Sequence, residues 1–211
     1  MLTKERKSLL ESKTTQYQSN VSRGLEYLAD RGISADTVVS ARLGVVDEAL
    51  PSDPYAAHQR LSIPYITKSG VVDLRYRCIR DHDCGEASCP KYLGGAGSTT
   101  RLYNVGCVDS AGSRICITEG ELDALILSQL GYPAVGVPGA NTWKRHWRRL
   151  FDDFTRIYVF CDGDDAGRGF RAHILAEIPT AEAVMLPEKE DVNSMYLEEG
   201  RDYFDRILRQ A

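Results

Sequence analysis

Residues 114–125 read RICITEGELDAL, and residues 156–170 read RIYVFCDGDDAGRGF. Each stretch begins as an apolar run of strand length and breaks into acid where the run ends: Glu119 in the first, Asp162 and Asp164 in the second. Two further apolar runs, at 134–137 and 183–186, belong to the same pattern, and the second leads into Asp191 and Asn193. Helix-length segments at 121–130, 143–151 and 165–178 separate the runs, and Gly131 marks the end of the first of them. Short apolar strands alternating with helices predict a parallel sheet covered on both faces. The carboxyl ends of such strands share one edge, so Glu119, Asp162, Asp164 and Asp191 are expected to meet there. Carboxylates crowded in that way repel one another unless a cation neutralises them.

The local spacing supports that convergence. Asp123 follows Glu119 by one helical turn and can face the same site. Asp162 and Asp164 flank Gly163, and residues two apart in extended backbone project to one side. Asp191 and Asn193 repeat the spacing. Acids also cap helix N-termini and complement the dipole. For Asp165 alone, capping is the preferred reading. For Glu119, the Asp162–Asp164 pair and Asp191 together, a catalytic or metal site is preferred, and Asp123 stands evenly between the two.

The whole chain, 211 residues with 43% hydrophobic and 27% charged content, reads as an ordinary globular protein. A net charge of −4 gives no global attraction to nucleic acid, so any such contact needs a local basic patch. No run is long enough to cross a bilayer, and the charged start MLTKERKSLLESK lacks the apolar stretch of a signal peptide, so a cytoplasmic location is expected. Of six cysteines, Cys116 and Cys161 sit in strand-like runs and are expected to be buried thiols; a disulfide scaffold is not expected. Residues 1–45 are expected to be helical, with a turn-rich segment at 21–31 closed by Gly32. A short helix over 35–42 would be capped by Ser34, with Gly44 after it. Alternating runs at 60–66 and 71–78 predict a β-hairpin turning through Lys68-Ser69-Gly70. Residues 81–100 are expected to be an ordered loop, and residues 203–208 a short closing helix.

Glu119-Gly-Glu-Leu-Asp123 and Asp162-Gly-Asp164-Asp-Ala-Gly167 resemble the two signature motifs of the TOPRIM domain, over about residues 113–193. That domain is shared by bacterial-type primases, topoisomerases and some nucleases. Tyr27-Leu-Ala-Asp-Arg-Gly-Ile-Ser34, Ile63-Pro-Tyr, Gly70-Val-Val-Asp-Leu-Arg75-Tyr-Arg77, Pro90-Lys91-Tyr92 and Leu102-Tyr103-Asn104 resemble, in order, the catalytic core of bacterial and phage DNA primases. The resemblance implies an α/β fold: a TOPRIM parallel sheet flanked by helices (113–211), preceded by a smaller mixed α/β subdomain (1–112), with the active site in a shallow cleft between them.

It further implies a DNA-dependent RNA polymerase that makes short primers on single-stranded DNA from ribonucleoside triphosphates. Glu119, Asp162, Asp164 and Asp191 match the family's Mg²⁺ or Mn²⁺ site, Asp123 matches a further required acid, and Arg77 and Lys91 match basic positions in the cleft. Arg75 reads equally as a phosphate contact or as part of a solvated strand face. Two departures stand out. The family's third acidic pair is commonly Asp-x-Asp, whereas Asn193 brings an oxygen without charge. No zinc-ribbon or helicase-binding domain is recognisable, so a replicative helicase or a separate zinc-ribbon or helicase chain is the expected partner. A metal-dependent TOPRIM nuclease and a non-catalytic nucleic-acid- or helicase-binding module are the alternatives.

Two clusters lie outside that scheme. Cys78, His82, Cys84 and Cys89 offer four zinc ligands, but their spacing lacks tight knuckles, so free thiols in a loop are the preferred reading and Zn²⁺ the alternative. Lys144-Arg-His-Trp-Arg-Arg149 could guide single-stranded DNA with Trp143 or Trp147 stacking on bases. An amphipathic helix with its tryptophans in the core is preferred.

Overall fold

Helix α1, Lys4–Gln18, opens the computed structural model, which describes residues 2–209. Thr3 caps it by accepting a hydrogen bond from the Arg6 N–H. Its buried residues, Leu10, Thr14 and Tyr17, recur at the spacing of one helical stripe. Polar clamps hold that stripe in place: the Tyr17 hydroxyl donates to Asp53 (2.6 Å), Lys13 pairs with the same carboxylate (2.8 Å), and Glu11 takes both Arg42 (2.7 Å) and the Val71 N–H (2.7 Å). Two short helices follow, α2 at Leu25–Asp30 and α3 at Ala35–Ser40. Ser34 caps α3 as expected, but the helix stops short of residue 42. Arg42 turns into left-handed backbone (φ 54°), and Gly44 already begins a strand.

The chain divides into two units, one ending at Thr99 and one beginning at Thr100. In the first unit, β1 (Gly44–Val46), β2 (Arg60–Thr67), β3 (Gly70–Cys78) and β4 (Tyr92–Gly94) form an antiparallel sheet in that order. The β2–β3 hairpin lies where the alternating runs place it. The alternation does not mean one wet face, however: Leu61 and Ile63 on one face and Ser62 on the other are all fully buried. α1 contributes to this by packing against β1, β2 and β3. Strand β4 lies inside the segment expected to be loop. Three residues in a Gly-rich stretch carry too little pattern to read, and β4 exists because β3 offers it an edge (Arg75 opposite Gly94, Arg77 opposite Tyr92).

In the second unit, β5 (Arg114–Thr118), α4 (Glu121–Gln129), β6 (Ala134–Gly136), β7 (Arg156–Cys161), α5 (Asp165–Glu177) and β8 (Glu182–Met185) alternate as the sequence predicts. All pairings are parallel and the order is β6-β5-β7-β8. The chain leaves β5 toward one side and then returns to lay β7 on the other, so the strand order reverses between β5 and β7. A crevice opens at the carboxyl ends of strands that part in this way. Ile115, Ile117, Ile157, Val159 and Cys161 face a core shared with Phe170 and Ile174 of α5. Phe160, one residue out of phase, packs on Phe204 (ring centroids 6.0 Å). Both faces are therefore covered, and the strands read as continuous apolar runs.

Two segments differ from expectation. Residues 145–151 form a 3₁₀ helix rather than an α-helix, and Trp143 and Trp147 sit edge to face in the core, 6% and 7% exposed. They are packing residues, which removes the stacking-platform reading. A helix the sequence did not suggest, α6 (Val192–Glu199), precedes α7 (Arg201–Arg209), which contains the expected closing helix at 203–208. No helix among the described residues is long and apolar enough to cross a membrane.

Candidate active site

The pairing of β5 with β7 aligns Ile117 with Val159, so the turns after the two strands run side by side. Glu119 uses that proximity: its Oε1 accepts a hydrogen bond from the Asp162 N–H at 2.9 Å. The first and second acidic motifs are thus joined directly. Burial pushes the Glu119 carboxyl up to about 7; the nearby charges of Asp164 and Asp123 add to the rise and the Asp162 N–H opposes it. Three carboxylates, those of Glu119, Asp164 and Asp123, therefore share one electrostatic environment at the switch point. Asp123 stands in the first turn of α4, 9% exposed, its carboxylate folded back over Gly120.

The second and third motifs are joined through backbone. The Gly163 N–H donates to the Glu190 carbonyl (2.9 Å), and the Lys189 N–H donates to the Gly163 carbonyl (3.0 Å). Asp191, next in sequence, is carried to the same sheet edge. An open groove of about 480 Å³ adjoins Asp164 and is also lined by Gly163, Arg168 and Lys189.

Capping is done by other residues than the sequence suggests. Asp164, not Asp165, is the N-cap of α5, with Oδ1 accepting from the Gly167 N–H at 2.8 Å. Asp165 is solvent-exposed and pairs with Arg168. Asp191 caps α6 in a reciprocal box with Ser194: Oδ1 accepts from the Ser194 N–H (2.7 Å) and the Ser194 hydroxyl accepts from the Asp191 N–H (2.8 Å). Asn193 consequently lies in a helical turn and is 2% exposed, so it does not project beside Asp191 as two residues of a strand would. A helix cap engages one oxygen of a carboxylate that has two, so capping does not by itself exclude cation binding by Asp164 or Asp191. Substitution separates the two roles. Asp191→Asn should keep the cap and the thermal midpoint, whereas Asp191→Ala should cost about 1 kcal/mol of stability, measured by urea unfolding. Sequence reasoning passed over Glu121, which is 1% exposed; an acid at the start of a helix carries no signal for burial.

The basic candidates lie in the first unit. Arg77, 8% exposed, donates to the Tyr92 hydroxyl (2.5 Å) and stands over the Tyr27 and Tyr92 rings at 5.8 and 5.2 Å. Arg75 also stands over the Tyr92 ring, at 4.5 Å. Lys91 is exposed. Tyr27, Arg31, Arg77, Arg80 and Lys91 line a groove of about 760 Å³.

A Toprim-like family model matches residues 116–196, the segment that carries all of the acids. The Gene 57 protein of Mycobacterium phage D29 is 37% identical over 147 residues, 67% of this chain and 93% of that protein. The chain belongs to the Toprim-like family. A DNA primase of Pseudomonas aeruginosa is 38% identical over 106 residues, which cover 46% of this chain and only 16% of that much longer protein. The crystal structure of a DNA primase domain from Pseudomonas aeruginosa superposes with a TM-score of 0.77 at 22% identity, covering 97% of this chain and 78% of that one. The chain is thus a TOPRIM catalytic core homologous to those of bacterial and phage primases, and this kinship supports nucleotidyltransferase activity of the primase type. Membership also implies use of a divalent cation in general.

Proposed function

We propose that this chain is the catalytic core of a DNA-dependent RNA polymerase that makes short primers on single-stranded DNA from ribonucleoside triphosphates. The observation that carries the reading is the direct bond from the Asp162 N–H to Glu119, which draws the two TOPRIM motifs to one point of the sheet edge. The donor set fits Mg²⁺ or Mn²⁺: hard carboxylate oxygens, crowded enough that burial and like charge hold Glu119 up to about 7. Glu119, Asp162, Asp164 and Asp191 would hold the cations, with Asp123 beside them. When bound, such ions lower the pKa of an attacking 3′-hydroxyl and neutralise a leaving pyrophosphate.

The chain's own residues position and neutralise. The Asp162 N–H orients Glu119, and the α5 cap orients Asp164. Lys91, Arg77 and Arg75 would bind phosphates of nucleotide or template, with Arg77 set by its tyrosine contacts rather than free to swing. A replicative helicase, or a separate zinc-ribbon or helicase chain, would be the partner, and the cytoplasm the place of work.

The test is primer synthesis on a single-stranded template with ribonucleotides and Mn²⁺. Asn caps helices as well as Asp does, so Asp164→Asn should leave the fold intact and lower short-RNA yield by a factor on the order of 100 or more. Asp162→Asn should likewise abolish product. Product formed equally well by both variants would overturn the assignment, and DNA cleavage without nucleotide incorporation would favour the nuclease alternative.

A further inference from the structure

Outside the acidic site, the most concentrated ligand chemistry lies in the connection between β3 and β4. The metal-binding atoms of Cys78, His82, Cys84 and Cys89 all lie within 4.8 Å of one another, and the Cys78 Sγ is 3.5 Å from the His82 Nε2. A tetrahedral zinc ion with Zn–S of about 2.3 Å and Zn–N of about 2.0 Å needs its ligands about 3.5–3.8 Å apart. The widest pair here exceeds that edge by about 1 Å, a distance that side-chain rotation closes. We propose that Cys78, His82, Cys84 and Cys89 form a closed, structural Zn²⁺ site. This proposal is independent of the acidic site and goes beyond the polymerase reading.

The fold brings the ligands together from both ends of the loop. Cys78 ends β3, and its N–H donates to the Lys91 carbonyl (2.9 Å), which sets Cys89 beside it. The Cys89 N–H donates to the Cys84 carbonyl (2.9 Å), and Asp83 Oδ1 accepts from the N–H groups of Gly85 (2.7 Å) and Glu86 (2.9 Å). Between these points the loop is mostly exposed, with Cys89 its one buried residue from 81 to 90, so apolar burial gives it little reason to hold a single shape. A metal supplies one.

A neighbouring charge favours the same conclusion. Arg60 is 2% exposed, and its guanidinium meets the Cys89 Sγ at 3.3 Å and the Pro90 carbonyl at 2.9 Å. Burying a guanidinium against a neutral thiol and a carbonyl leaves its charge uncompensated. A Zn(Cys)₃His centre carries a net charge of −1, because each thiol gives its proton to solvent as its S–Zn bond forms. Arg60 then donates to a thiolate, an outer contact of the kind that orients metal ligands. The spacing that argues against zinc in the sequence is a property of the linear chain. In space, a strand end and a turn supply what paired knuckles supply elsewhere. The site also fixes one wall of the basic groove, since Cys78, His82, Cys84 and Cys89 line it together with Arg80 and Lys91.

The full chain, purified without chelator, should carry about one zinc per molecule by elemental analysis. Exchange for Co²⁺ should produce thiolate-to-cobalt charge transfer and the strong visible bands of tetrahedral coordination. Cys84→Ser and Cys89→Ser should each lose the charge-transfer intensity and most of the zinc, whereas Asp162→Asn should keep both, which separates this site from the acidic one. The cobalt spectrum of the unsubstituted protein decides the matter even if a cysteine variant fails to fold. Absence of the charge-transfer band, a Cys–Cys disulfide in place of bound metal, or full zinc content in Cys84→Ser would each overturn the proposal.

Discussion

Glu119→Gln should abolish primer synthesis and, in metal-free protein, raise stability. Burial and the charges of Asp164 and Asp123 raise the Glu119 carboxyl from 4.5 to about 7, so the folded state holds this proton more tightly than the unfolded chain does. Below pH 4.5 both states are protonated and the group costs nothing. Between pH 4.5 and about 7 the unfolded chain ionises first, and stability falls as pH rises; above about 7 the full penalty is present. Discounted for partial exposure, the penalty is about 1–2 kcal/mol at neutral pH, or about 2–8 °C in the thermal midpoint for a chain of this size. The variant should therefore melt higher than the wild type at pH 8 and equally at pH 4, both with chelator present. Excess Mg²⁺ should narrow the gap at pH 8 by stabilising the wild type more. Equal melting at pH 8 would mean that Glu119 is not held among like charges, and the argument for a cation at this site would lose its main support.

Gly163→Ala should be the most damaging single-methyl change in the second unit. A Cβ there would lie 1.7 Å from the Pro187 carbonyl oxygen, 2.6 Å from its carbon and 2.9 Å from the Lys189 N, all backbone atoms that cannot swing aside. The two turns would have to separate, breaking the bonds that join Gly163 to Lys189 and Glu190. The expected cost is about 3 kcal/mol or more, with loss of primer synthesis even though every acid is retained. Gly169→Ala is the matched control. It lies in α5 with no atom within 4 Å of the added methyl, and it should stabilise by about 0.5–1 kcal/mol. Calorimetric melting of the two variants checks both signs.

Much of this was legible in the residues. The strands at 114–118 and 156–161 and the acids that end them follow from apolar runs, because a sheet buried on both faces leaves no other pattern. Membership in the Toprim-like family was equally open to reading, since its motifs are short and contiguous. What escaped was set by tertiary partners. Strand β4 forms because β3 presents an edge. Helix α6 begins where Asp191 and Ser194 exchange hydrogen bonds, which turns an expected strand-like spacing into a helical turn. The choice of Asp164 over its neighbour as a cap depends on which residue keeps extended backbone, and two adjacent aspartates do not announce that. The four-ligand cluster was visible as a set within residues 78–89, and what its irregular spacing left open was whether the four donor atoms come within 4.8 Å of one another.

The reciprocal backbone bonds between Gly163 and the 189–190 segment have a mechanical consequence. Riveted in this way, the turns bearing Asp162, Asp164 and Asp191 form a single plate, and the same plate seats the starts of α5 and α6. A displacement of one turn by an incoming triphosphate would drag the other turn and both helix ends along with it. Amide exchange at Gly163 and Lys189 should then open and close in step, with one shared protection factor for what sequence separates by more than twenty residues.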